Sequence, residues 1–153
     1  MSRIEARIAD LGIVLPNPVA PVANYVPYVA SGNLVFISGQ VSIGPSGLIT
    51  GKLGADVSLD RGIEAAQACG VNLIAQLKAA CGGDLDRVRR VVKLGGFVNC
   101  TAHFIEQPKV VNGASDLMVA VFGDAGRHAR AAVGAPSLPM NAAVEVDGVF
   151  EIA

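Results

Sequence analysis

Two residues in the last quarter of the chain carry groups able to do chemistry. Arg130 interrupts a run of small and apolar residues, Ala129-Arg-Ala-Ala-Val-Gly134, and Glu145 stands between two valines in Val144-Glu-Val146. A guanidinium in such a run is costly to bury unless an anion meets it. It can snorkel to solvent, pair with an internal carboxylate, or meet an anionic ligand. With Glu145 it offers two readings. One is a structural salt bridge between neighbouring strands, the commoner use of such a pair. The other is a site in which the arginine fork grips a carboxylate while Glu145 holds a water or moves a proton. Residue chemistry alone favours the salt bridge.

The remaining reactive side chains are sparse. His103 and His128 are the only histidines, and neither stands at ligand spacing from another His or Cys, so no metal site is read here. Ser38 lies in Ser-Gly-Gln, not in a Gly-x-Ser-x-Gly elbow, and the glycines follow neither a dinucleotide nor a P-loop pattern. No cofactor is called for. Tyr25 reads as a half-buried aromatic, Asn112 as a solvent-facing helix residue, and His128 as a partner of nearby backbone or a carboxylate.

These groups need a scaffold, and 153 residues suit one domain, 1–153, with a substantial core. A composition 52% hydrophobic with 16% charged residues is apolar for a monomer and points to surface covered by self-association. The net charge of −1, without a basic run, gives no support for nucleic-acid binding. No stretch approaches the roughly 20 apolar residues of a membrane span. The charged, helix-patterned start Met-Ser-Arg-Ile-Glu-Ala-Arg is unlike a signal peptide, and Cys69, Cys81 and Cys100 read as core thiols in a reducing compartment. The expected setting is cytoplasmic.

Periodicity places a short helix at 2–11, followed by a Pro-rich approach, Leu15-Pro-Asn-Pro-Val-Ala-Pro21, so that 1–19 form an extension. Strands are read at 25–30, limited to an edge by Pro27, and at 33–38, with a weaker extended segment at 49–57. Ser58 caps a long helix running to Ala80 and stopped by Gly82-Gly83, with Ile63, Ala66, Gly70, Leu73, Ile74, Leu77 and Cys81 on one face. A strand at 87–98 leads to a second helix from Pro108, with Val110, Val111, Ala114, Leu117, Met118, Val121 and Phe122 inward. Two adjacent strands joined by a Pro-containing turn end the chain. This mixture predicts an α+β fold, two long helices on one face of a mixed sheet, the other face covered by a second copy.

Several of these segments together resemble the YjgF/RidA family: Phe36-Ile-Ser-Gly-Gln40, the long helix ending in Gly-Gly-Asp-Leu-Asp-Arg-Val88, Ala129-Arg-Ala-Ala-Val133, Leu138-Pro139 and Val144-Glu-Val146. Their order matches from about Ala20 to the end. Glu106-Gln-Pro-Lys-Val-Val-Asn-Gly-Ala-Ser115 with Gly126-Arg-His-Ala-Arg130 resembles a branch of that family without a well-defined substrate. The resemblance implies a chorismate-mutase-like fold assembled as a homotrimer, with ligand clefts at the subunit boundaries. It also implies cofactor-free hydrolytic deamination of reactive enamines and imines such as 2-aminoacrylate, giving 2-keto acids and ammonia. Arg130 matches the arginine that holds the substrate carboxylate, and Glu145 the acid that positions water. Tyr25 matches the tyrosine lining the cleft, Ser38 and Gly39 the backbone wall beside the substrate, and Asn112 an asparagine at the start of the second helix. Arg127 and His128 crowd the approach to Arg130, where His128 is read as a substrate-binding residue for a larger or more acidic ligand. The family's frequent cysteine two residues past the arginine is Ala132 here. Two other readings stand beside it: a carboxylate-binding sensor that uses the same cleft without catalysis, and the endoribonuclease activity attached to the family by name, for which near-neutral charge and the lack of a His pair give no support.

Overall fold

In a computed structural model, described here for residues 1–18, 20 and 23–153, the chain begins with α1 (Arg3–Asp10). Pro21 of the Pro-rich approach lies outside the described residues. The Ser2 hydroxyl accepts the Glu5 N–H at 3.1 Å, and Asp86 accepts the Arg3 and Ile4 N–H groups at 2.9 Å each. Those bonds satisfy the orphan donors of the first turn and hold the Asp86 carboxyl below its usual range. Ile4 and Ile8 are the apolar side of the helix and are buried.

The edge strand β1 (Tyr28–Ser31) starts directly after Pro27 and turns into β2 (Leu34–Val41). A small hairpin follows, β3 (Ile43–Gly44) with β4 (Gly47–Leu48). The segment at 49–57 is not a strand. It forms turns touching the sheet through isolated bridges at Thr50 and Leu53. Then come α2 (Leu59–Ala80), β5 (Val88–Asn99), α3 (Gln107–Phe122), β6 (Ala129–Ala135) and β7 (Val144–Ile152). Ser58 caps α2, its hydroxyl accepting the Arg61 N–H at 3.1 Å.

The main sheet has the order β1-β2-β7-β5-β6, with β5 and β6 parallel and the other pairs antiparallel. The last two strands are therefore not neighbours, contrary to the sequence reading. The crossover through α3 makes β6 the parallel partner of β5 at the sheet edge, and β7 is the antiparallel insert between β2 and β5.

Both long helices pack on one face of the sheet, as the apolar stripes require. The inward positions of α3 are all buried, as are those of α2 except Ile63, which is half-buried. Contact between the helices is set by small residues. A side chain at Gly113 would overlap the Ile63 carbonyl of α2, and one at Gly70 would lie 2.9 Å from Leu117 Cδ2. The glycines of β5 work on opposite faces: Gly96 makes room for Val111 of α3, and Gly95 for Asp147 on the far side. Among the described residues no helix lies on that far side, and Val29, Phe36 and Val133 stay 45–52% exposed.

Gly113→Ala tests the helix contact. Overpacking a filled interface costs about 1–3 kcal/mol, so calorimetry should show Tm lowered by roughly 3–10 °C. An unchanged Tm would mean the helices can part without cost.

Candidate functional site

The bend in β2 builds one half of the site. Pairing of β2 with β7 slips between Ile37 and Gln40, leaving Ser38 and Gly39 in a bulge. Gln40 bridges it, its Nε2 donating to the Ser38 carbonyl at 2.9 Å. The Ser38 N–H donates to Pro27 O at 2.9 Å and its hydroxyl to Val26 O at 2.8 Å, which docks the segment carrying Tyr25 against the strand. Glu145 lies beneath the bulge so closely that a Cβ on Gly39 would be 2.6 Å from its Oε2. Tyr25, Ser38, Gly39, Gln40, Met140 and Glu145 line a common cavity of about 230 Å³. Four of the residues singled out from sequence thus come together here.

Met140 lines the same cavity from a short turn in which it and Asn141 have φ of 58° and 57°. Such left-handed backbone is costly for residues with side chains and persists only where surroundings impose it. Here the Asn141 Oδ1 accepts from buried Asn99 at 3.2 Å and the Asn141 carbonyl from the Gly51 N–H at 3.0 Å. Asn99 in turn accepts from Lys52 Nζ at 2.7 Å, and Lys52 also donates to the Pro136 carbonyl.

Arg130, Asn112 and His128 form the other half. The Arg130 Nη1 donates to Asn112 Oδ1 at 2.8 Å and to Ser115 Oγ at 3.2 Å, while Nη2 reaches Pro108 O at 3.5 Å. His128 contacts Ser115 Oγ at 2.9 Å through Nε2 and the Gly126 carbonyl at 2.6 Å through Nδ1. All three arginine acceptors are neutral, and among the described residues Arg130 makes no ion pair.

The salt bridge favoured by residue chemistry does not exist in the chain. Arg130 is level with Leu94, on the helix-covered face, whereas Glu145 is level with Phe97 and Val133, on the opposite face. β5 separates the two strands as well. Glu145 instead neighbours Asp147, two residues along the strand on the same face. Burial, and then the Asp147 charge, push the Glu145 carboxyl above the usual range. Burial also raises Asp147, against the lowering effect of the Gly95 N–H and Lys93.

A larger cavity of about 590 Å³ lies between residues 12–16, the β3–β4 hairpin and α2. Its two charged groups, Arg61 and Glu64, pair with each other at 2.6 Å, so it offers a ligand no unengaged charge. Among the described residues no cluster of three His, Cys, Asp or Glu side chains is placed to hold a metal ion. Among the described residues no helix is long and apolar enough to cross a membrane. All three cysteines are buried and unpaired, and burial pushes the Cys69 and Cys81 thiols up.

Residues 5–152 match the family model described as "YjgF/chorismate_mutase-like, putative endoribonuclease". The chain belongs to the YjgF family. It is 51% identical to protein TCP17 of Trypanosoma cruzi over 98% of this chain and 94% of that protein. The crystal structure of Atu1372 from Agrobacterium tumefaciens, of unknown function, is 50% identical with a TM-score of 0.91, covering 98% and 92% of the two chains. RidA from the Antarctic bacterium Psychrobacter sp. shares 26% identity and a TM-score of 0.60 over 91% of this chain and 96% of that one. Within the YjgF family, then, the chain is far nearer in shape to Atu1372 than to this RidA.

Ser115, Gln40 and Met140 were not singled out from sequence. For Ser115 a signal existed: Asn112 and Ser115 stand at i,i+3, one helix face. A glycine inside the Phe36–Gln40 strand likewise marks a bulge. Nothing in the sequence pattern marks Met140.

Glu145 gives a test by pH. Its folded pKa lies above the unfolded one, so the folded chain holds the proton more tightly, and that contribution to stability is lost as pH rises through the raised value. Glu145→Gln should therefore raise Tm at neutral pH and leave it nearly unchanged at a pH below the ordinary carboxylate range. A Tm difference independent of pH would rule out carboxylate burial as its cause.

Proposed function

We propose that the protein hydrolyses reactive 2-imino acids and their enamine tautomers to 2-keto acids and ammonia, without a cofactor. The observation that carries this reading is Arg130: a half-buried guanidinium held in place by three neutral acceptors and left without an anionic partner. Such a group is an anion site, and its fork matches a carboxylate.

The chemistry then asks little of the protein. An enamine takes a proton at carbon to become the iminium, the protonated imine, whose C=N carbon is electrophilic. Water adds there, losing a proton as the C–O bond forms. The C–N bond of the carbinolamine then breaks, nitrogen leaving as ammonia after taking a proton while the hydroxyl gives up its own proton as the C=O bond forms. Arg130 fixes the carboxylate. Glu145, whose raised pKa suits it to both accept and return a proton, takes one from water and gives one to nitrogen. Holding water and imine in line can supply up to about 7–11 kcal/mol of the barrier.

Arg130 and Glu145 must face the same ligand for this, and one chain keeps them on opposite faces. The reading therefore requires Arg130 of one chain to meet Glu145 of the next. An interface in which each chain offers unlike halves to its two neighbours closes as a ring when its rotation divides a full turn, and the homotrimer expected from the family resemblance is such a ring. The exposed Val29, Phe36 and Val133 supply apolar surface for it.

A second reading, carboxylate binding without turnover, is favoured by the fact that the arginine half is complete within one chain while the acid half is not beside it. Endoribonuclease action ranks last. The net charge is −1, and both ring nitrogens of His128 are engaged, with Gly126 and Ser115.

Deamination of freshly generated 2-aminoacrylate and 2-iminobutanoate, read as the excess over spontaneous hydrolysis, separates these readings. Arg130→Ala should remove the excess, and Glu145→Gln should remove it while keeping 2-keto acid binding. No excess in a folded wild type that binds keto acids would leave the sensor reading. A trimer by light scattering is expected, and a monomer would break the shared site.

A further inference from the structure

We propose that Ser115 and His128 are positioning residues that orient Arg130 so that only its Nε–Nη2 edge is presented to a ligand carboxylate. The inference rests on the reading of Arg130 as the carboxylate anchor, and it assigns that anchor's geometry to two residues outside the acid half of the site.

The direction of each hydrogen bond follows from the acceptors. The Gly126 carbonyl can only accept, so the His128 Nδ1, 2.6 Å away, carries the ring proton. In the neutral ring Nε2 then accepts, and the group 2.9 Å from it is the Ser115 hydroxyl, whose hydrogen must point to His128. That leaves a Ser115 oxygen lone pair turned toward the Arg130 Nη1 at 3.2 Å. The other Nη1 hydrogen goes to Asn112 Oδ1 at 2.8 Å, and one Nη2 hydrogen reaches Pro108 O at 3.5 Å. A guanidinium has five N–H donors. Among the described residues Nε–H and one Nη2–H take no partner, and the Nε–Nη2 edge of a guanidinium, with its two parallel N–H groups, has the spacing a carboxylate takes bidentately.

The chain Arg130–Ser115–His128–Gly126 is therefore a relay with one sense. Without the His128 acceptor the Ser115 hydroxyl is free to turn its hydrogen toward the arginine, and the second Nη1 anchor is lost. Asn112 alone would hold Nη1 at one point, about which the fork can swing. A purely structural contact between the segment before β6 and α3 would fasten the fold without affecting how tightly a carboxylate binds, so ligand affinity distinguishes the two roles.

The test uses the full-length protein, titrated by calorimetry with 2-oxobutanoate and assayed with 2-iminobutanoate. Ser115→Ala and His128→Phe are expected to weaken keto-acid binding and raise KM by about tenfold, with kcat altered less than about threefold. Ser115→Thr and His128→Gln, which keep a hydroxyl and an acceptor, should recover most of the affinity. Folded Ser115→Ala and His128→Phe variants that bind as tightly as wild type, while Arg130→Ala does not bind, would overturn the relay and leave the anchor standing. Binding unchanged in Arg130→Ala would remove the anchor, and the relay with it. Nitrogen NMR of the wild type needs no variant: the Nδ1–H tautomer of His128 is expected, and the Nε2–H tautomer would overturn the relay.

Discussion

Two helices can share one face of a five-stranded sheet only by lying close together, and here glycine sets that closeness. Gly113 of α3 rests against the Ile63 carbonyl of α2, and Gly70 of α2 lies against Ala114 and Leu117 of α3. With both helices on one side, the fully buried large side chains gather there, among them Leu73, Leu77, Leu94, Met118 and Phe150. The opposite face keeps no helix of its own. It carries carboxylates, Glu145 and Asp147, beside exposed Phe36, Val29 and Val133. The one-sided packing thus decides where charge can sit without being sealed off from solvent or from a neighbour.

The same constraint explains which parts of the architecture were legible beforehand. Helical stripes are local, and every inward residue read on the second helix is buried. Ser58 and Gly82-Gly83 bound the long helix as their chemistry demands. Strand order is not local. Nothing in Ala129-Arg-Ala-Ala-Val133 or Val144-Glu-Val146 says that β5 will lie between them, so a plausible pair of charges became two groups on opposite faces. The contacts of Arg130 divide in the same way. Asn112 and Ser115 share a helix face by spacing alone, but their meeting with His128 depends on where the turn after α3 delivers β6. The segment at 49–57 misled for another reason: it touches the sheet at single bridges, and isolated bridges leave no alternation to read.

Glu145 and Asp147 show how a fold holds groups that reduce its stability. Two carboxylates on one face of a strand, both partly withdrawn from water, repel when ionised, and each keeps its proton to higher pH than it would in the unfolded chain. An amide at either place would relieve that cost. The fold instead provides for them: Gly39 leaves room over Glu145, Gly95 leaves room for Asp147 and donates its N–H to it, and Lys93 lies near enough to oppose the rise. The strained turn at Met140 and Asn141, held by Asn99 and Lys52, borders the same cavity. The strained Met140 and the raised Glu145 carboxyl thus meet at one cavity, each with its own local support, and such strain and perturbed acids cluster at functional sites.

The two halves differ in how they are prepared, and that difference bears on mechanism. The arginine half is fully constrained by one chain, because Asn112, Ser115 and the Pro108 carbonyl all belong to α3 and Arg130 to the strand it covers. The acid half is equally constrained, by the β2 bulge and β7, but on the other face. Under the proposed reading, affinity for a carboxylate is then a property of the chain, whereas turnover is a property of how two chains meet. A small rotation between subunits would change the distance from Glu145 to a bound imine without altering either half. Members of one family could in this way retain carboxylate recognition while differing in chemistry. The TM-scores, 0.60 to RidA and 0.91 to Atu1372, compare the shapes of single chains, and under the proposed reading turnover depends in addition on how those chains are arranged.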